Sequence, residues 1–105
     1  MPQFDVYINP SKKSHEAYPY IVDIQNALIS DITTRIVIPL GKLSHFRNEQ
    51  MNGLTPLIEY ENEKYILLTP QIASIPSKLL KNPVGSVEPL RDEIIAAIDF
   101  VITGI

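Results

Sequence analysis

Short stretches of alternating or β-branched residues dominate the first two thirds of the chain. Gln3-Phe4-Asp5-Val6-Tyr7-Ile8 alternates polar and apolar positions and predicts a half-buried strand. Asn9 to Glu16 is a polar loop opened by Asn-Pro turn chemistry. Tyr20 to Ile24 is rich in β-branched and aromatic residues and predicts a second strand. Arg35 to Leu40 predicts a third, buried on both faces for part of its length, with the donorless Pro39 marking its end or an edge. Leu57 to Tyr60 and Lys64 to Leu68 flank the polar Glu61-Asn62-Glu63 and predict a hairpin. Asn26 to Thr34 reads as a connection carrying the apolar Leu28 and Ile29. Gly41 to Thr55 is mixed and predicts no element, and Gln71 to Ile75 is a short strand or a turn between prolines.

The period changes near residue 86. Ser86 is a candidate N-cap, Pro89 fits a first helical turn, and Glu88, Asp92 and Glu93 sit near the positive end of the dipole. Leu90, Ile94, Ala97, Ile98 and Val101 follow helical spacing on one face, while Ile95, Phe100 and Ile102 lie elsewhere on the cylinder. Only Arg91, Asp92, Glu93 and Asp99 break this apolar surface. A helix apolar nearly all round is not a surface helix, and one small core cannot cover two faces. We therefore expect a two-fold dimer, with Ile94, Ile95, Ile98, Phe100 and Ile102 at its interface. The alternative is a sheet that wraps the helix within one chain. The pattern as a whole is mainly β with a C-terminal α-helix.

Length and composition sharpen this. A chain of 105 residues is expected to form a single domain, residues 1–105, and 45% hydrophobic content argues against disorder. The absence of cysteine excludes a disulfide-stapled fold and thiolate metal sites, and fits a cytoplasmic protein. No opening stretch reads as a secretory leader, and Ile94 to Ile105, interrupted by Asp99, is too short to span a membrane. Net charge is −3 and the basic residues are scattered in sequence, which argues against direct nucleic-acid binding. His15 and His45 are thirty positions apart in polar segments, with no metal-ligand spacing. No phosphate loop or nucleophile elbow occurs, and Glu59, Glu61 and Glu63 read as solvated charges at a turn. Asp23 and Arg35 could pair across strands in a structural role. The residues alone thus describe a dimeric β-rich domain that is not an enzyme and needs no cofactor.

Several motifs, taken in order, resemble the CcdB toxins over most of the chain. They are Gln3-Phe4-Asp5-Val6-Tyr7, Val22-Asp23-Ile24-Gln25 followed by Arg35-Ile36-Val37-Ile38-Pro39-Leu40, and Leu68-Thr69 followed by Ala73-Ser74-Ile75-Pro76. The last is a helix that finishes in Gly104-Ile105. Asn9 to Tyr18 and Gly41 to Thr55 show no clear match. The resemblance implies an SH3-like antiparallel barrel or sheet, a small wing sheet and a terminal helix at a two-fold interface. It implies a toxin of a type II toxin–antitoxin system that wedges into the dimerisation domain of DNA gyrase A and traps gyrase on cleaved DNA. A CcdA-like antitoxin would neutralise it, with operator DNA bound only through that antitoxin. The implied target-binding residues are Leu28, Ile29, Asp99, Thr103, Gly104 and Ile105. Thr103 stands where the plasmid-borne form has tryptophan, and Asp99 where the family has asparagine. Ordinary core packing for Leu28 and Ile29, and simple helix closure for Thr103 to Ile105, compete with those roles. Two other functions compete as well: an endoribonuclease of the related MazF type, and a CcdB homologue with weakened toxicity.

Overall fold

The computed structural model describes residues 3–26 and 33–104. Its strands are β1 (Asp5–Ile8), β2 (Tyr20–Asp23), β3 (Thr34–Lys42), β4 (Leu57–Tyr60), β5 (Glu63–Leu67), β6 (Ala73–Pro76) and β7 (Gly85–Ser86), followed by one helix, α1 (Arg91–Thr103). All seven strands join one antiparallel sheet in the order β4-β5-β3-β2-β1-β7, with β6 also paired to β3. The fold is mainly antiparallel β with a curled sheet and a C-terminal helix, as the sequence pattern predicts.

The long strand β3 is the spine, and its partners on one side change along its length. Thr34 to Val37 pair with β6, whereas Leu40 to Lys42 pair with β5. Pro39 therefore neither ends the strand nor lies at an outer edge. It faces Ile21 of β2 in mid-strand. The Ile24 amide donates to the Ile36 carbonyl at 3.0 Å. Ladder alternation from that bond turns Pro39's nitrogen and carbonyl away from β2. They point into the fork between β6 and β5, where the carbonyl accepts from the Leu68 amide at 3.0 Å. The missing donor falls where no ladder needs it.

Alternation along the strands gives two apolar faces. Phe4, Val6, Val22, Ile38, Leu40, Ile58, Tyr65, Leu67, Val87 and Ile94 form the main core, with α1 against it. Tyr7, Ile21, Val37 and Leu80 form a second cluster on the opposite face. Phe4 enters the core from a left-handed backbone, φ 72°. Two bonds hold it there: its amide donates to the Asp23 carbonyl at 2.6 Å, and its own carbonyl accepts from Val87 at 2.9 Å. Ser86 does not cap α1. It pairs with Asp5 in β7, and its Oγ accepts from the Glu88 amide at 3.1 Å, which starts a 3₁₀ turn over Glu88–Leu90. That turn leads directly into α1.

Candidate functional site

The exposed end of α1 is the first candidate. Ile94 and Ala97 are buried, and Leu90, Ile98 and Val101 half-buried beside them. Ile94, expected at a dimer interface, is instead fully buried in the chain's own core, because its face of the helix is the one laid on the sheet. Ile95 and Ile98 are half-buried, packed against the same core. Phe100 and Ile102 are 41% and 69% exposed, so apolar surface does remain on this helix after the monomer core is filled. Asp99 and Thr103 are exposed. The Thr103 hydroxyl donates back to the Asp99 carbonyl at 2.6 Å, so this side chain folds onto its own helix.

Gly104 ends the helix in the left-handed region, φ 75°, with its amide donating to the Phe100 carbonyl at 2.9 Å. That is the usual glycine stop. A side chain built at Gly104 would meet nothing within 4 Å, so the approach to this backbone is open. Ile105, expected to supply the apolar tip, lies outside the described residues.

Leu28 and Ile29 also lie outside the described residues, but both ends of their segment are fixed. Arg35 and Asp23 are fully buried, with Nη2 and Oδ2 2.8 Å apart and Nε donating to Oδ2 at 2.9 Å. Arg35 Nη2 also donates to the Gln25 carbonyl at 3.2 Å. The Asp23 Oδ1 accepts from the Gln25 amide at 3.0 Å, and the Gln25 Oε1 accepts from the Ile36 amide at 3.0 Å. One ion pair and one glutamine side chain thus clamp the exit from β2 to the start of β3. The expected structural role of Arg35 holds. Ile24, at that exit, packs on the same core cluster as Ile95 and Ile98.

The residues between β3 and β4, unplaced by sequence, form the other wall beside α1. Met51, Asn52, Gly53, Thr55, Pro56 and Leu57 line an open recess of about 650 Å³ with Arg47, Gln50 and the α1 residues Glu93 and Ala96. Gly53 turns the chain at φ 80°, and Phe100 Cδ2 lies 3.6 Å from where its Cβ would stand. The Asn52-Gly53 dipeptide was the signal for that turn.

Catalytic candidates do not converge. His45 lies beside Phe46, ring centroids 6.4 Å apart, while Glu59 faces Lys64 across the hairpin. Among the described residues no group of three or more histidines and carboxylates could hold a metal ion, and no helix is long and apolar enough to cross a membrane. The arrangement offers an apolar helix end with an open backbone tip, which suits binding another protein. Compared with known families, the chain matches the family model described as CcdB protein over residues 3–104.

Proposed function

Because this chain belongs to the CcdB family, we propose that it is the toxin of a type II toxin–antitoxin pair that captures DNA gyrase. In this reading it acts as a homodimer without enzymatic activity or cofactor. The dimer inserts between the arms of the gyrase A dimerisation region and holds gyrase on cleaved DNA. A CcdA-like antitoxin reverses this in the cytoplasm, and DNA is met only through that antitoxin. The family match carries the reading. The apolar surplus on α1 supports it: Phe100 and Ile102 stay exposed beside a glycine whose backbone is open.

The contact surface is proposed to comprise Leu28, Ile29, Asp99, Thr103, Gly104 and Ile105. Ile95, Ile98, Phe100 and Ile102 are proposed to face the second copy. Thr103 supplies a methyl and a hydroxyl already engaged with Asp99, so it offers no ring to stack. Large aromatic anchors often dominate interface energy, and binding here must lean more on Gly104 and its neighbours.

The test is a cleavage assay with gyrase, ATP and supercoiled plasmid. The full chain should accumulate linear DNA on denaturation, and a chain truncated before Gly104 should not, although its circular dichroism is unchanged. Linear DNA from the truncated chain would place the contact elsewhere. No linear DNA from a large excess of the full chain would remove the gyrase reading.

A further inference from the structure

Of the chain's asparagines only Asn52 precedes a glycine. Asn9 and Asn82 precede proline, Asn48 and Asn62 precede glutamate, and Asn26 precedes alanine. The following residue matters chemically. Glycine has no Cβ to shield its nitrogen or to restrict the rotation that brings that nitrogen onto the asparagine side chain. Proline has no N–H to lose.

The fold leaves Asn52-Gly53 at the open apex of a clamped loop. Below the apex, the Leu54 and Thr55 amides both donate to the Met51 carbonyl at 3.0 Å. The Met51 amide donates to Thr55 Oγ1 at 2.7 Å, and that hydroxyl donates back to the Met51 carbonyl at 3.0 Å. Thr55 is buried, whereas Asn52 and Gly53 are exposed. Among the described residues, neither the Asn52 side chain nor the Gly53 amide takes part in a hydrogen bond. The two groups that would have to meet are therefore unengaged and in water. Asn48 differs, because the Glu49 amide after it is held by the Phe46 carbonyl at 3.0 Å.

We propose that Asn52-Gly53 is a site of intrinsic covalent modification, at which Asn52 turns into isoaspartate without an enzyme. The Gly53 nitrogen attacks Asn52 Cγ. The bond from that nitrogen to Cγ forms, the bond from Cγ to Nδ2 breaks, and ammonia leaves carrying the amide proton. Water then opens the cyclic imide. Attack at the former backbone carbonyl leaves the chain running through Cγ, which is isoaspartate; attack at Cγ leaves aspartate. Nothing is oxidised or reduced, and water is the only co-reactant.

The position gives this chemistry a structural consequence. Isoaspartate inserts an extra carbon into the main chain between Met51 and Thr55, the two ends of the clamp. Gly53 also lies against Phe100 of α1, whose Cδ2 is 3.6 Å from where a Cβ would stand. Lengthening the turn thus loosens both the clamp and the wall beside α1. It also adds one negative charge, at the recess that Asn52 lines with Arg47 and Glu93. The inference goes beyond the gyrase reading and does not depend on it.

The test is to age the purified full chain for days in warm, mildly alkaline buffer. Peptide mapping by mass spectrometry then follows each asparagine, and methyl transfer by an isoaspartyl methyltransferase counts the rearranged product. Asn52 should convert roughly tenfold or more faster than Asn48 or Asn62, give isoaspartate as well as aspartate, and slow in mildly acidic buffer, where the amide nitrogen is less readily deprotonated. The aged protein should unfold at a lower urea concentration than fresh protein. Asn52→Ser cannot close the ring, so it should age without that loss. Fresh Asn52→Asp, which adds the charge without lengthening the chain, should keep the parent's midpoint. Conversion at Asn52 no faster than at Asn62, aspartate as the sole product, or an equal fall in midpoint for aged Asn52→Ser would each overturn the proposal.

Discussion

At the scale of single residues, the buried Asp23–Arg35 pair is the most consequential feature. Both side chains are fully removed from water, so each has lost a large hydration energy that their mutual geometry, helped by the hydrogen bonds to Gln25, must offset. Replacing both charges by well-packed neutral groups is commonly tolerated, whereas removing one leaves the other buried and uncompensated. Arg35→Met should therefore cost about 3–5 kcal/mol, read as a lower urea midpoint at unchanged slope. Adding Asp23→Leu to it should recover part of that loss. A single variant within about 1 kcal/mol of the parent, well under the expected range for a broken buried pair, would show the pair to be dispensable. The pairing was legible in the sequence, since opposite charges flank one connection, but the burial was not, because charged residues are solvated by default. The left-handed Phe4 was not legible either. Nothing local favours a bulky aromatic there, and the conformation is imposed by the bonds to Asp23 and Val87, both distant in sequence.

Among the elements, strands and the helix were readable wherever a period of two or of 3.6 runs uninterrupted. The ends were less so. The hairpin was expected around Glu61-Asn62-Glu63, yet Glu63 belongs to β5 opposite Tyr60, which leaves a two-residue loop. Both loop residues have positive φ, 53° at Glu61 and 63° at Asn62. Such turns match strand twist and favour Asn-Gly, and a left-handed glutamate carries a steric cost. Converting Glu61-Asn62 to Asn-Gly should raise stability by about 1 kcal/mol, a rise of several degrees in Tm. A fall in the calorimetric midpoint would show that these two side chains are needed in the turn. Two boundaries were misread for physical reasons. Ser86 offers the right oxygen for a cap but spends it on a 3₁₀ turn before α1. Pro39 reads as a breaker, yet the fork between β6 and β5 gives it a place where no amide is required. Residues 41–55 have no period at all, and only Asn52-Gly53 marked a turn there.

At the scale of the whole molecule, tyrosines join strands that are distant in sequence. Tyr20 packs edge-on against Tyr60 and Tyr65, with centroids 5.3 and 5.5 Å away, and Tyr60 donates to the Val84 carbonyl at 2.6 Å. Tyr7 is buried within the second apolar cluster. Burial is the largest reason that Tyr7, Tyr60 and Tyr65 hold their protons above the ordinary phenol value of 10.0, and neighbouring acids such as Asp5 beside Tyr7, Glu61 beside Tyr60 and Glu63 beside Tyr65 add to it. The unfolded chain would release these protons earlier, so above that value it binds fewer protons than the folded chain. Stability must then fall with rising pH. The contribution is fully present below the unfolded value of 10.0 and is lost as pH climbs through it toward each folded value. Denaturant midpoints should therefore decline steeply on the alkaline side, in step with phenolate absorbance. Tyr7→Phe removes the proton release while keeping the ring, so it should flatten that decline. Tyr60→Phe should flatten it too but lower stability at neutral pH, because the bond to Val84 is lost. If Tyr7→Phe left the alkaline slope unchanged, the coupling between its burial and the fold's alkaline limit would be refuted.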